Sequence, residues 1–159
     1  MKIFKKHYGD LRRKRSDIGN IGLGEIYKNV LTQYKKSFDE GNYLVSFLII
    51  QSLLEDRIYV FYRMMLIHKN RKDGKDEIPE LEKIFRSIDV KEVIKELKKY
   101  GWIDDGLRDK LFNTLDLRNK HIHFSFMGIE NFSEDLCSGF YTQFREVDKL
   151  IRKYKKELK

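Results

Sequence analysis

A single cysteine, Cys137, cannot close an internal disulfide, so nothing in the chain calls for an oxidising compartment. Proline is as scarce, with Pro79 the only one in 159 residues, so almost no backbone N–H is removed from helical pairing. No segment alternates apolar and polar residues for long enough to suggest a sheet. The most apolar stretch, Tyr43 to Leu54, ends at Glu55-Asp56-Arg57 and falls short of the roughly 20 residues that cross a bilayer. The N-terminus is basic but lacks the apolar segment of a signal peptide. Also missing are a glycine-rich phosphate loop, an HExxH pair and a nucleophile elbow. Gly22-Leu23-Gly24 is too short for a dinucleotide fingerprint. These absences point away from secreted disulfide scaffolds, membrane spans and the common nucleotide-binding folds. They lead us to expect a cytoplasmic protein without a cofactor.

Helical spacing fills the space that remains. Leu23, Tyr27, Val30, Tyr34 and Phe38 recur every three or four residues and predict a helix over about 24–39. Gly41 suits its end and Asn42 the cap of the next helix, about 43–68. This second helix is apolar on nearly every side up to Leu54, the pattern of a central helix packed all round. Its Glu55, Asp56, Arg57 and Arg63 then need partners or an exit to water. Residues 69–77 read as a charged loop. Pro79 fits the first turn of a short helix to Ser87, and Asp89 with Glu92 a capping box for a helix to Tyr100. Asp104 or Asp105 opens a fourth long helix with Leu107, Leu111 and Leu115 on one stripe, fading at Phe124 to Gly128. The last helix starts near Asn131 to Ser133 and carries a three-and-four seam from Leu136 to Leu158. The expected fold is all-α, an up-and-down bundle of four to five helices over residues 23–159, preceded by a flexible basic arm over 1–22.

Charge is distributed unevenly. The chain carries +8 overall, and residues 1–15 with 149–159 together hold +11, leaving −3 on the body between them. Terminal segments such as Arg12-Arg13-Lys14-Arg15 suit a polyanion, whose phosphates are held without sequence readout. They equally suit a solubilising surface. A membrane-surface role fits less well, since the arm has no matching apolar face.

Chemistry concentrates in Arg118-Asn119-Lys120-His121-Ile122-His123. Two histidines spaced as HxH could ligate a metal in a strand. On a helix, residues two apart point about 200° away from each other, and no third ligand follows, so no metal site is expected here. Arg118, Asn119 and His123 form the stronger pattern. An arginine stays charged and offers a planar fork to phosphate oxygens, while histidine as a residue type moves protons near neutral pH. RNA brings its own nucleophile, the 2′-hydroxyl. A second Arg-x(4)-His pair, Arg63 and His68, lacks the asparagine and reads as structural.

With this motif on the penultimate long helix, the chain resembles the HEPN superfamily, small helical bundles marked by Arg-x(4–6)-His, often with Asn directly after the Arg. The resemblance covers about residues 24–158 as architecture and Arg118, Asn119 and His123 as motif. It implies a metal-independent endoribonuclease acting as a homodimer with a composite site, a frequent component of toxin–antitoxin and anti-phage systems. RNA and an antitoxin protein are the partners it implies. Ser52-x-x-Glu55 is similar to the polar patch on the core helix of that family, with Glu55 as support. His121, three residues from Arg118, shares its helix face and is a second supporting candidate. The alternative is a non-catalytic bundle of the same kind that binds RNA or a protein. In that reading Arg118 merely pairs with Glu55, Asp56 or Asp116. Five residues on a regular helix subtend about 140°. Arg118 and His123 therefore meet only if the helix breaks near His121 or if two subunits share the site.

Overall fold

A computed structural model describes residues 23–124 and 132–157, apart from the side chains of Leu23, residues 122–124 and Glu157. The basic arm expected over 1–22 lies outside the described residues. Six helices follow in order: α1 (Leu23–Asp39), α2 (Tyr43–Lys72), α3 (Leu81–Ser87), α4 (Val90–Lys99), α5 (Asp105–Phe124) and α6 (Glu134–Glu157). The all-α expectation holds, with no strand among the described residues. Four helices are long and two, α3 and α4, are short connectors within the bundle. None of the helices described is long and apolar enough to cross a membrane.

The 30-residue α2 is the axis. It buries Phe47, Ile50, Leu54, Ile58, Phe61 and Met65 at successive turns, and α1, α3, α4 and α6 all pack on it. A helix apolar all round needs such an enclosure. The expected end at 68 is corrected to Lys72. The charged run Lys69-Asn70-Arg71-Lys72 continues the helix because its cations sit at the negative end of the dipole. The Lys69 ammonium also bonds the Tyr100 hydroxyl at 2.8 Å. Gly74, at φ 69°, then supplies the left-handed turn that a residue with Cβ adopts only at a cost.

The caps explain the other boundaries. Asn42 accepts from the Val45 amide at 3.3 Å, Asp104 from Leu107 at 2.7 Å, and Ser133 from Leu136 at 3.2 Å. Each satisfies an orphan N–H of a first turn. Asp89 caps α4 through the Lys91 amide at 2.8 Å. Glu92 makes its ion pair forward with Lys95. The Arg63–His68 pair is structural: Arg63 Nε donates to the Pro79 carbonyl at 2.8 Å, and His68 meets the Trp102 ring edge-on.

Where α1 crosses α6, the Tyr34 hydroxyl donates to the Cys137 carbonyl at 3.3 Å. The Cys137 thiol in turn donates to the Tyr43 carbonyl at 3.3 Å. Burial pushes the Cys137 thiol from 9.0 to about 11. Burial, with Cys137 and Tyr141 adding to it, pushes the Tyr34 hydroxyl from 10.0 to about 12. Both groups are held neutral by the fold more firmly than by the unfolded chain. Their contribution is therefore fully present below about pH 9 and is lost as pH rises through 11 and 12. Two outcomes are expected. The denaturation midpoint should fall progressively above pH 9. At pH 8, iodoacetamide should label Cys137 slowly in the native protein and rapidly in urea; equal rates would contradict the burial.

Candidate active site around Arg118

α5 carries the motif, and it does so without a break: the helix is continuous from Asp105 to Phe124. This settles one of the two geometric conditions. Arg118 and His123 stand about 140° apart on a continuous helix, so one chain does not bring them onto a common face. The His123 side chain lies outside the described residues. His121 stands about 60° from Arg118, on the same side of α5.

Arg118 is held from two directions. Its Nη1 donates to Glu55 Oε2 on α2 at 3.0 Å, and its Nε to Asn119 Oδ1 at 3.2 Å. Gln51 Nε2 donates to the same Glu55 oxygen at 3.1 Å. Of the three acids that could have paired with Arg118, Glu55 is the partner. Asp56 is buried and takes the Tyr27 hydroxyl, while Asp116 takes Lys91 at 2.6 Å. The side chains of Arg118 and Glu55 are 20% and 18% exposed. That is dry enough to strengthen the pair beyond a surface ion pair, yet open enough for an outside group to reach it. Among the described residues Arg118 Nη2 has no protein partner, so two N–H groups of a fixed guanidinium remain for an anion.

The histidine is also oriented. His121 Nδ1 lies 2.8 Å from the Leu117 carbonyl. A carbonyl only accepts, so Nδ1 carries the hydrogen and Nε2 presents its lone pair in the neutral ring. Phe47 and Phe132 flank the ring at centroid distances of 6.0 and 5.7 Å. Such a histidine has the tautomer and fixed plane that a general base needs.

Ser52 does not join this cluster, because its hydroxyl donates to the Leu48 carbonyl at 2.8 Å. Gln51 takes the place expected for it. The Gln51–Glu55 spacing of four residues was a visible signal, since such pairs face each other on a helix. The RNA-binding candidates Arg12, Arg13, Lys14 and Arg15 lie outside the described residues. No group of three or more His, Cys, Asp or Glu side chains among the described residues is placed to hold a metal ion.

Fold and site define the class as an all-α helical bundle with a half-buried Arg–Glu pair beside an oriented histidine. Comparison with protein-family models, curated proteins and solved structures gave no match.

Proposed function

We propose that this chain is a HEPN-like, metal-independent endoribonuclease that works as a homodimer, in the manner of a toxin or anti-phage factor. The observation carrying the reading is the fixed Arg118 guanidinium, with Nη2 left over, on the same face as His121. In the proposed reaction a ribose 2′-oxygen attacks the adjacent phosphorus. The 2′-O–P bond forms, the P–O5′ bond breaks, and a 2′,3′-cyclic phosphate and a 5′-hydroxyl result. A histidine takes the 2′-proton, and a second, from the facing subunit, returns one to the leaving O5′. Arg118 stabilises the charge that builds on the phosphoryl oxygens, the kind of preorganised donor that favours a transition state over a ground state. Asn119 fixes the Arg118 fork, and its own amide N–H groups point to a second phosphate contact. Glu55 supports the arginine from beneath.

Two histidines compete for the proton transfer, and mutation separates them. Purified protein is expected to cleave single-stranded RNA in the presence of EDTA, leaving cyclic phosphate ends. Alanine at the working histidine should slow this by about 10²–10⁴-fold. A larger loss at His123 assigns the chemistry to a composite site across a two-fold axis. A larger loss at His121 assigns it to one subunit. Undiminished cleavage in both variants removes the site.

A further inference from the structure

The side of the molecule away from Arg118 carries a second feature. Glu55 and Arg57 lie about 200° apart on α2, so the arginine faces α1 and α6, opposite the candidate active site. There it forms the floor of a cleft of about 230 Å³ between α1 and α6, with Tyr27 and Lys28 on one wall and Arg145, Asp148 and Arg152 on the other. Four cations face one carboxylate. Asp148 is 10% exposed on its side chain and is already matched twice, by Arg57 at 3.3 Å and Arg152 at 2.7 Å. The Arg57 guanidinium also lies 3.5 Å over the Tyr27 ring. Two guanidiniums thus share one carboxylate with one positive charge in excess, and the positive charge of the rim is not cancelled by it. Among the described residues no carboxylate pairs with Lys28, Arg145 or Lys149, all of them exposed.

The rim continues as a stripe. Arg145, Lys149, Arg152 and Lys156 fall within about 60° of arc along α6 and cover about 16 Å of its length. Gly24, in the first turn of α1, lines the same cleft. We infer that the α1–α6 cleft and its basic stripe form a docking surface for the phosphodiester backbone of single-stranded RNA, separate from the Arg118 site.

Three observations favour that occupant. The cleft is smaller than the roughly 300–1,000 Å³ that encloses an organic ligand, but accommodates a phosphate. A protein partner needs an apolar centre to its interface. Among the described residues the exposed large apolar side chains are Val45, Ile78, Tyr100 and Leu117, and none belongs to α1 or α6; Leu31 and Phe144, which also line the cleft, are half-buried and buried. A membrane surface needs the same apolar face. Backbone recognition of a nucleic acid needs only spaced cations, and arginine forks at Arg145 and Arg152 add geometry to charge.

The test is binding of the full chain to a 20-nucleotide 2′-O-methyl RNA, which lacks the nucleophile and cannot be cleaved, followed by fluorescence anisotropy across a salt series. Arg145→Glu with Lys149→Glu should weaken binding at least tenfold. It should also flatten the dependence of log K on log salt by about 0.7 for each phosphate that is no longer neutralised. Lys83→Glu with Lys95→Glu makes the same change in net charge on α3 and α4 and should cost twofold or less. Unchanged affinity in the α6 variant, equal losses in both variants, or no binding at low salt would overturn the inference. Tighter binding of polyglutamate than of RNA would overturn it in favour of an acidic protein. Binding with these properties but no cleavage of ordinary RNA would leave this surface standing and remove the ribonuclease reading. Cleavage that is indifferent to the α6 variant would do the reverse.

Discussion

Arg118→Ala is expected to reduce RNA cleavage by about 10²–10³-fold, the usual cost of deleting one preorganised donor to a developing oxyanion. The loss should appear in kcat as well as kcat/KM, because the interaction is strongest once charge has moved onto the phosphoryl oxygens. Arg118→Lys should recover little. The present geometry uses two edges of one plane, Nη1 toward Glu55 and Nε toward Asn119, and leaves Nη2 without a partner among the described residues. An ammonium cannot hold Glu55 and Asn119 and still present two further N–H groups in a fixed direction. Arg118→Ala also disturbs the fold, since it leaves Glu55 half-buried with Gln51 as its remaining donor. Leaving a partly buried carboxylate without its cation costs on the order of 1–3 kcal/mol. Activity must therefore be compared well below the melting temperature. Glu55→Gln is the informative companion. It keeps an oxygen for Arg118 to bond while removing the negative charge, so the fold should survive and the arginine should stay in place. Cleavage within about tenfold of the parent would make Glu55 a positioning residue, whereas loss equal to that of Arg118→Ala would give its charge a direct part in the reaction.

Most of the fold was legible because its signals are local. Asn42, Asp89 and Ser133 announce helix starts through side-chain geometry that spans three residues, and all three act as caps. The apolar density of 43–54 marked α2 as central, and it is. The signal failed where a boundary depended on something distant: Lys69 extends α2 partly because Tyr100 is there to receive it. The site shows the same division. The sequence offered Glu55, Asp56 and Asp116 as partners for Arg118, and nothing local chose among them. The choice was made by Tyr27 and Lys91, which claim Asp56 and Asp116 from other helices. The cleft at Arg57 and Asp148 was not foreseen, because an ion pair between residues 91 positions apart leaves no trace in spacing. The continuity of α5 could not be read either, since the sequence allows both a break near His121 and a regular turn there. That continuity turns the pairing of Arg118 with His123 into a question about subunits.

The largest structural loss is expected at a residue that serves both core and site. Phe47 is fully buried and packs on Phe132 and Phe140 at centroid distances of 5.2 and 5.0 Å. It joins α2 to α6 and to the segment just before it, while its ring also meets His121 on α5. Phe47→Ala should destabilise the protein by about 3–5 kcal/mol, from lost transfer energy and an unfilled cavity. For a domain of this size each kcal/mol lowers Tm by roughly 2–4 °C, so a fall of about 6–20 °C is expected by calorimetry. Phe47→Leu keeps most of the volume and should cost less than half as much. The two variants also separate packing from chemistry. Under conditions where Phe47→Leu is fully folded, the His121 ring has lost an aromatic wall but kept its bond to the Leu117 carbonyl. If that bond alone orients the ring, cleavage stays near the parent rate. If the wall matters, cleavage falls although the protein is fully folded at the assay temperature, and His121 gains a role in the reaction that its distance from the Arg-x(4)-His spacing would not have suggested.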